Sequence, residues 1–128
     1  MKLSKTEEQL MEYLWQLEKG FLKDLLEAFP DPKPANTTVA TLLKRMTDKG
    51  FVGYTVYGNS REYHPLIKKA DYFSKHVNGM IKNNFNDSVL QFASFFTKAS
   101  NLSTAELKEL RKLIDQEIEK KKKWSLIF

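Results

Sequence analysis

The sequence predicts a mainly α-helical protein, in which a winged helix-turn-helix domain precedes a helical dimerisation region. Three features of the chain support this fold class. An amphipathic helix near residues 36–49 is followed by Gly50 and two short alternating segments, which are typical of a β-hairpin. Two further helical segments precede it, as expected for three helices plus a hairpin wing. After Pro65 the pattern changes to strongly apolar helices. We therefore expect two domains, over residues 1–66 and 67–128.

The first helix is predicted from a capping box and an apolar face. Ser4 and Glu7 are spaced so that the hydroxyl and the carboxylate can each bind a free backbone amide at the helix start. The helix is expected to end near Gly20. Its inward side chains, which we assign to the core, are Leu10, Met11, Leu14, Trp15 and Leu17.

A second, shorter helix is predicted over residues 21–29. Pro30, Pro32 and Pro34 prevent this helix from continuing and predict a stiff turn. Asn36 is a suitable N-cap for the third helix. The inward side chains of the second helix are Leu22, Leu25, Leu26 and Phe29.

The third helix is predicted to have one buried face and one face suited to DNA. Val39, Leu42, Leu43 and Met46 follow the i, i+3, i+4, i+7 spacing of a buried face. The opposite face carries small, hydrogen-bonding or cationic side chains, a composition that suits insertion into the major groove. This face consists of Thr37, Ala40, Thr41, Lys44 and Arg45.

The segments over residues 51–57 and 61–64 are predicted to form the hairpin, because Gly58-Asn59 can supply the positive φ of a tight turn. We predict that threonines of the third helix lie near base edges, that cations hold phosphates and that the wing tip contacts DNA. The predicted DNA-binding residues are Thr37, Thr38, Ala40, Thr41, Lys44, Arg45, Asn59, Ser60 and Arg61.

The charge distribution favours a polyanionic partner for the same region. The chain has a formal net charge of +5. Residues 1–32 contain four lysines and seven acidic residues, whereas residues 33–69 contain seven basic and two acidic residues. Cations concentrated in the predicted DNA-binding segment, residues 33–69, would release counterions from double-stranded DNA.

The helices after Pro65 are expected to form a homodimer, because their apolar faces have little of their own chain to cover them. The alternative is that they fold back onto their own winged helix. Ser103 and Glu106 form a second predicted capping box, at the start of the last helix. The predicted dimer contacts are Tyr72, Phe73, Val77, Phe92, Phe96, Leu107, Leu110 and Ile114.

The last nine residues combine four lysines with an aromatic and aliphatic end, over residues 120–128. Such a segment could touch anionic lipid or DNA phosphate. Five apolar-rich residues are too few for stable insertion, so a frayed terminus is expected.

Several classes of function are not supported by the sequence. There is no cysteine, and the two histidines, His64 and His76, lack the spacing of a metal site. The five glycines form no phosphate-binding motif. We therefore predict no enzyme, no cofactor and no small-molecule ligand. The first ten residues lack the apolar stretch of a signal peptide, so we expect a cytoplasmic protein.

Several motifs together resemble the penicillinase-repressor (BlaI/MecI) family of bacterial regulators, which includes copper-responsive repressors. They are TVATLLKRM at 38–46, REYHP at 61–65, DSVLQFA at 87–93 and LKEL at 107–110. The resemblance extends from Ser4 to Leu113. It implies a homodimeric winged-helix repressor of double-stranded operator DNA. In the penicillinase branch it also implies a membrane sensor protease system, which triggers cleavage in the dimerisation region.

Three positions depart from that family pattern. Ala40 stands where family members carry an arginine, so their operator is not simply transferred to this chain. The cleaved bond in relatives is Asn-Phe, and the matching pair here is Gln91-Phe92. The copper branch uses cysteines near its C-terminus, which this chain lacks. The alternative function is a winged-helix module that binds protein without specific DNA binding.

Overall fold

The computed structural model describes residues 3–127, which divide into two compact units between Asn78 and Gly79. Helices dominate both units, and one small sheet lies in the first, which confirms the mainly α fold class. The elements are α1 (Lys5–Leu17), β1 (Gly20–Phe21), α2 (Leu22–Ala28), α3 (Asn36–Asp48), β2 (Val52–Tyr57), β3 (Ser60–Pro65), α4 (Lys69–Asn84), α5 (Val89–Ala99) and α6 (Thr104–Ile127).

The three helices and the hairpin of the first unit form a winged helix-turn-helix. The hairpin of β2 and β3 turns at Gly58, whose φ of 61° is the positive value that a type II′ turn requires at its first central residue. The sheet has the antiparallel order β1-β3-β2. Strand β1 was not predicted, and it pairs with β3 through Gly20 opposite Tyr63 and Phe21 opposite Glu62.

The N-terminal cap of α1 is the one predicted from the sequence, whereas that of α3 is not. The capping box at α1 is confirmed: Glu7 N–H donates to Ser4 Oγ at 3.2 Å, and Ser4 N–H donates to Glu7 Oε1 at 2.9 Å. The prediction of Asn36 as the N-cap of α3 is wrong. Ala35 has the extended cap conformation, and its carbonyl accepts hydrogen bonds from the following turn.

The core of the first unit contains all four apolar residues predicted on α3. Trp15 is only partly buried, and its indole N–H donates to the carbonyl of Ile67 at 2.9 Å. Leu17, predicted to face inward, is 44% exposed. The core residues are Leu3, Leu10, Met11, Leu14, Leu25, Phe29, Val39, Leu42, Leu43, Met46, Val52 and Tyr72.

The start of α4 packs on the first unit, which differs from the boundary predicted at residues 66 and 67. Tyr72 is 2% exposed, and its hydroxyl donates to Glu8 Oε2 at 2.8 Å. Lys69 Nζ also lies 2.7 Å from Glu12 Oε1. Tyr72 is therefore a core residue of the first unit and not a surface contact for a second copy. Phe73 and Val77 remain partly exposed, at 39% and 38%.

The second unit contains the end of α4 together with α5 and α6. Its second capping box is confirmed by reciprocal hydrogen bonds between Ser103 and Glu106. The ring of Phe85 packs against the rings of Phe92 and Phe95. Helix α6 continues through Ile127, where a frayed end was expected, and the predicted tail residue Phe128 lies outside the described residues. Over residues 3–127, no helix combines the length and apolarity needed to cross a membrane.

Candidate nucleic-acid interface

The solvent-facing side of α3 brings together all six residues predicted on that helix to contact DNA. Each of them is exposed, because the buried face of the amphipathic helix is taken up by the core. Thr41 Oγ1 donates to the carbonyl of Thr37 at 2.8 Å, so its hydroxyl proton is held by the helix. Its oxygen lone pairs and methyl group stay available to base edges. The six residues are Thr37, Thr38, Ala40, Thr41, Lys44 and Arg45.

A first groove separates the end of α3 from the hairpin. The Arg61 guanidinium carbon lies 4.4 Å from the centre of the Tyr54 ring, and Tyr54 contacts Tyr63 with ring centres 5.9 Å apart. Ala40 adds only a methyl group to the wall. The first groove therefore has room for a ligand between Lys44 and Arg61. It is lined by Ala40, Lys44, Thr47, Asp48, Tyr54, Arg61 and Tyr63.

A second groove lies on the other side of Arg61, between α2, the start of α3 and the wing tip. The predicted residues Asn59 and Ser60 line it, together with Lys23 and Asn36, which were not predicted to bind DNA. No local pattern distinguishes Lys23 from other exposed lysines. Only the fold places it beside the wing. The remaining residues lining this groove are Phe21, Leu22, Leu26 and Tyr63.

A third groove joins the threonines of α3 to the start of α1. It brings Thr37, Thr38 and Thr41 beside Arg45. Ser4 and Thr6 form its opposite wall, with Leu42 between. Hydroxyl groups and one guanidinium on a shared surface are donors that suit phosphate oxygens and base edges.

The cations of the interface differ in how strongly their own chain holds them. Lys44 Nζ lies 3.3 Å from Asp48 Oδ2, but both side chains are largely exposed, so this pair is weak. Lys49, in contrast, lies 2.7 Å from Oε2 of the buried Glu7. Burial alone would raise the pKa of Glu7. Hydrogen bonds from Lys49 and Ser4 outweigh this effect and hold that pKa below its ordinary value. Lys49 therefore supports the fold.

The described part of the chain contains no cluster of metal-ligating side chains. No group of three or more histidine, cysteine, aspartate or glutamate side chains there could hold an ion.

Comparisons with known proteins show which proteins the chain is similar to. A sequence model of the family described as "Penicillinase repressor" matches residues 3–116. The methicillin resistance regulatory protein MecI of Staphylococcus aureus (strain N315) is 25% identical over 120 residues, which cover 90% of this chain and 94% of that protein. The homologue from Mammaliicoccus sciuri is 24% identical with the same coverage. A solved structure described as "CopR Repressor Structure" is 25% identical, with a TM-score of 0.45, and covers 53% of this chain and 100% of that chain.

Proposed function

The chain belongs to the penicillinase repressor family, and on that premise we propose that it is a homodimeric repressor of a pseudo-palindromic operator. Family membership makes it a DNA-binding regulator and not an enzyme. The proposal concerns the finer points: which residues bind DNA, how two copies join and how repression ends.

The observation that supports DNA binding most strongly is the arrangement of the three grooves around α3. Lys44, Arg45 and Arg61 reach solvent beside these grooves. Thr37, Thr38 and Thr41 line the third groove together with Arg45. A helix with this exposed face fits the major groove, while the wing extends toward the adjacent backbone. We assign base-edge contacts to Thr37, Thr38 and Thr41, with Ala40 leaving room for a base. Asn59 and Ser60 are assigned to the wing tip.

Dimerisation is proposed for the second unit because its apolar side chains are exposed to an unusual degree. Leu90 is 81% exposed, Phe95 55%, Leu113 53% and Ile114 51%. Burying such surface against a second copy is strongly favourable, and two-fold dimers are the commonest arrangement. As proposed contacts we keep Phe92, Phe96, Leu107, Leu110 and Ile114 of the second unit, together with Phe73 and Val77 near the end of the first unit. We accordingly propose DNA binding near residues 1–66 and dimerisation within residues 67–128.

Two DNA-binding units on one two-fold axis also explain why dimerisation would control repression. A single DNA-binding unit would gain affinity mainly from phosphate contacts. When two units are linked, binding of the first raises the effective concentration of the second at its half-site. Half-sites would then be spaced by one or two turns of the double helix.

Relief of repression by a membrane sensor protease system is proposed at Gln91-Phe92. This peptide lies in the first turn of α5, where Gln91 N–H donates to Ser88 Oγ at 3.1 Å and Phe92 N–H donates to Ser88 O at 3.1 Å. The helix start must therefore unwind before a protease can bind the bond in an extended form. Cleavage there would separate Phe92 from Phe85, whose rings lie 5.5 Å apart.

The experiment is footprinting and gel shift with the full chain on the DNA upstream of its own gene, in a series of salt concentrations. We expect a protected site with two-fold symmetry, and affinity that falls steeply as salt rises. A chain ending at Asn78 keeps the first unit with its core residue Tyr72 and should bind the same site far more weakly. Indifference to every duplex at low salt would exclude the proposal and favour a module that binds protein.

A further inference from the structure

We propose that Tyr54 is a positioning residue for DNA binding: its ring holds the Arg61 guanidinium at the junction of the first and second grooves, ready to bind a backbone phosphate. The inference rests on the proposed function and adds a residue to which the sequence assigned no role. Tyr54 would hold the Arg61 side chain in place before DNA binds.

A short series of contacts across the hairpin fixes the Tyr54 ring. Tyr54 lies directly opposite Tyr63 on β3, and the two rings meet edge to face at 5.9 Å. Cross-strand aromatic pairs of this kind restrain both side chains. Tyr54 is 39% exposed, so one face of its ring remains open to a further partner.

Arg61 occupies that partner position, with its guanidinium carbon 4.4 Å from the ring centre. Within residues 3–127, no carboxylate lies within ion-pair distance of Arg61. The stacked guanidinium therefore keeps its planar array of N–H donors for a ligand, and a phosphate oxygen pair matches that array.

The position of Arg61 indicates that its ligand is a phosphate of the DNA backbone. Arg61 is shared by two grooves, one containing Lys44 and the other containing Lys23. The two grooves thus contain Lys23, Lys44 and Arg61 beside a helix suited to the major groove, where one strand of the duplex backbone would pass. Fixing the arginine in advance lowers the side-chain entropy lost when it binds that backbone.

The test compares the full-length chain with Tyr54→Leu, Tyr54→Phe, Arg61→Ala and the double variant Tyr54→Leu/Arg61→Ala in salt-series gel shifts. Tyr54→Phe keeps the ring and should bind as the parent chain does. Tyr54→Leu should bind roughly two- to fivefold more weakly per DNA-binding unit. Because it retains every charge, its salt slope should be unchanged. Arg61→Ala should reduce the slope by about 0.9 per unit.

The double variant separates positioning from a general effect on the fold. With Arg61 already absent, Tyr54→Leu should cost no further affinity. An equal additional loss in that background would overturn the inference, and so would parental affinity for Tyr54→Leu alone. If the parent chain fails to bind DNA, the proposed function itself is wrong.

A measurement on the parent chain covers the case in which Tyr54→Leu does not fold. The Cδ protons of Arg61 should show an upfield ring-current shift in the NMR spectrum without DNA. Shifts typical of an unstructured arginine would overturn the inference.

Discussion

Lys49 Nζ lies 2.7 Å from Glu7 Oε2, so the residue that ends α3 is tied to the first turn of α1. Replacing Lys49 by Met should leave a buried carboxylate without its counter-charge. We expect a loss of about 2 kcal/mol in the free energy of unfolding, measured in urea, because Lys49 itself is partly exposed. Lys44→Met is the matched control, since its pair with Asp48 is exposed and should contribute below ~0.5 kcal/mol. Equal losses would contradict the assignment.

The same carboxylate should make stability depend on acid pH. The pKa of Glu7 in the fold lies below its ordinary value of 4.5, because its hydrogen bonds outweigh the opposing effect of burial. Its contribution to stability is therefore fully present above pH 4.5 and is lost as pH falls through the lower folded pKa. In urea unfolding at several pH values, Glu7→Gln should show a flatter decline below pH 4.5 than the parent chain. If the free energy of unfolding falls equally steeply with pH in both proteins, Glu7 is not the origin of the acid dependence.

Tyr72 should lose its proton only at unusually high pH for a tyrosine. Burial, followed by its hydrogen bond to Glu8, raises its pKa to about 12. The raised value means that its contribution to stability is present below pH 10 and is lost as pH rises through about 12. Tyrosinate absorbance should show a late transition that Tyr72→Phe removes. That variant should also lose about 1 kcal/mol of stability at neutral pH.

Lys23 should contribute a phosphate contact that no sequence pattern indicated. It lines the second groove with Asn36 and Arg61. Lys23→Ala should weaken binding to all duplexes alike and lower the salt slope by about 0.9 per DNA-binding unit. Lys19→Ala is the control, because Lys19 is exposed on the same unit but lines none of the three grooves. A similar effect of both changes would point to general charge attraction only.

A single charge on the apolar side of α6 should dissociate the proposed dimer. Ile114 is 51% exposed and lies on the same helical face as Leu107, Leu110 and Ile118. Ile114→Glu should give a monomer in sedimentation at micromolar concentration, with weakened operator binding. Gln116→Glu adds the same charge on the opposite face and should leave the mass unchanged. A monomeric parent chain would exclude the dimer itself.

Local signals in the sequence predicted the parts of the fold that depend on local interactions. Both capping boxes and the buried face of α3 follow from residues three or four positions apart, so their pattern is visible in one stretch of chain. The hairpin turn is similarly local, because Gly58 alone provides the required φ.

Features that depend on distant partners could not be predicted in this way. Strand β1 is two residues long and exists only because β3 lies beside it. Periodicity placed Tyr72 on an apolar helix face but could not indicate that α1 covers that face. The stacking of Arg61 on Tyr54 joins two strands and likewise has no sequence signature.

The backbone amide of Leu3 donates to the Tyr72 hydroxyl at 3.3 Å, and Leu3 is 4% exposed. This hydrogen bond links an early residue of the chain to one in the helix that continues into the second unit. The Leu3 amide hydrogen can exchange with deuterium only after this hydrogen bond has opened. Its exchange rate therefore measures how often the contact between Leu3 and the first turn of α4 opens, without any added label.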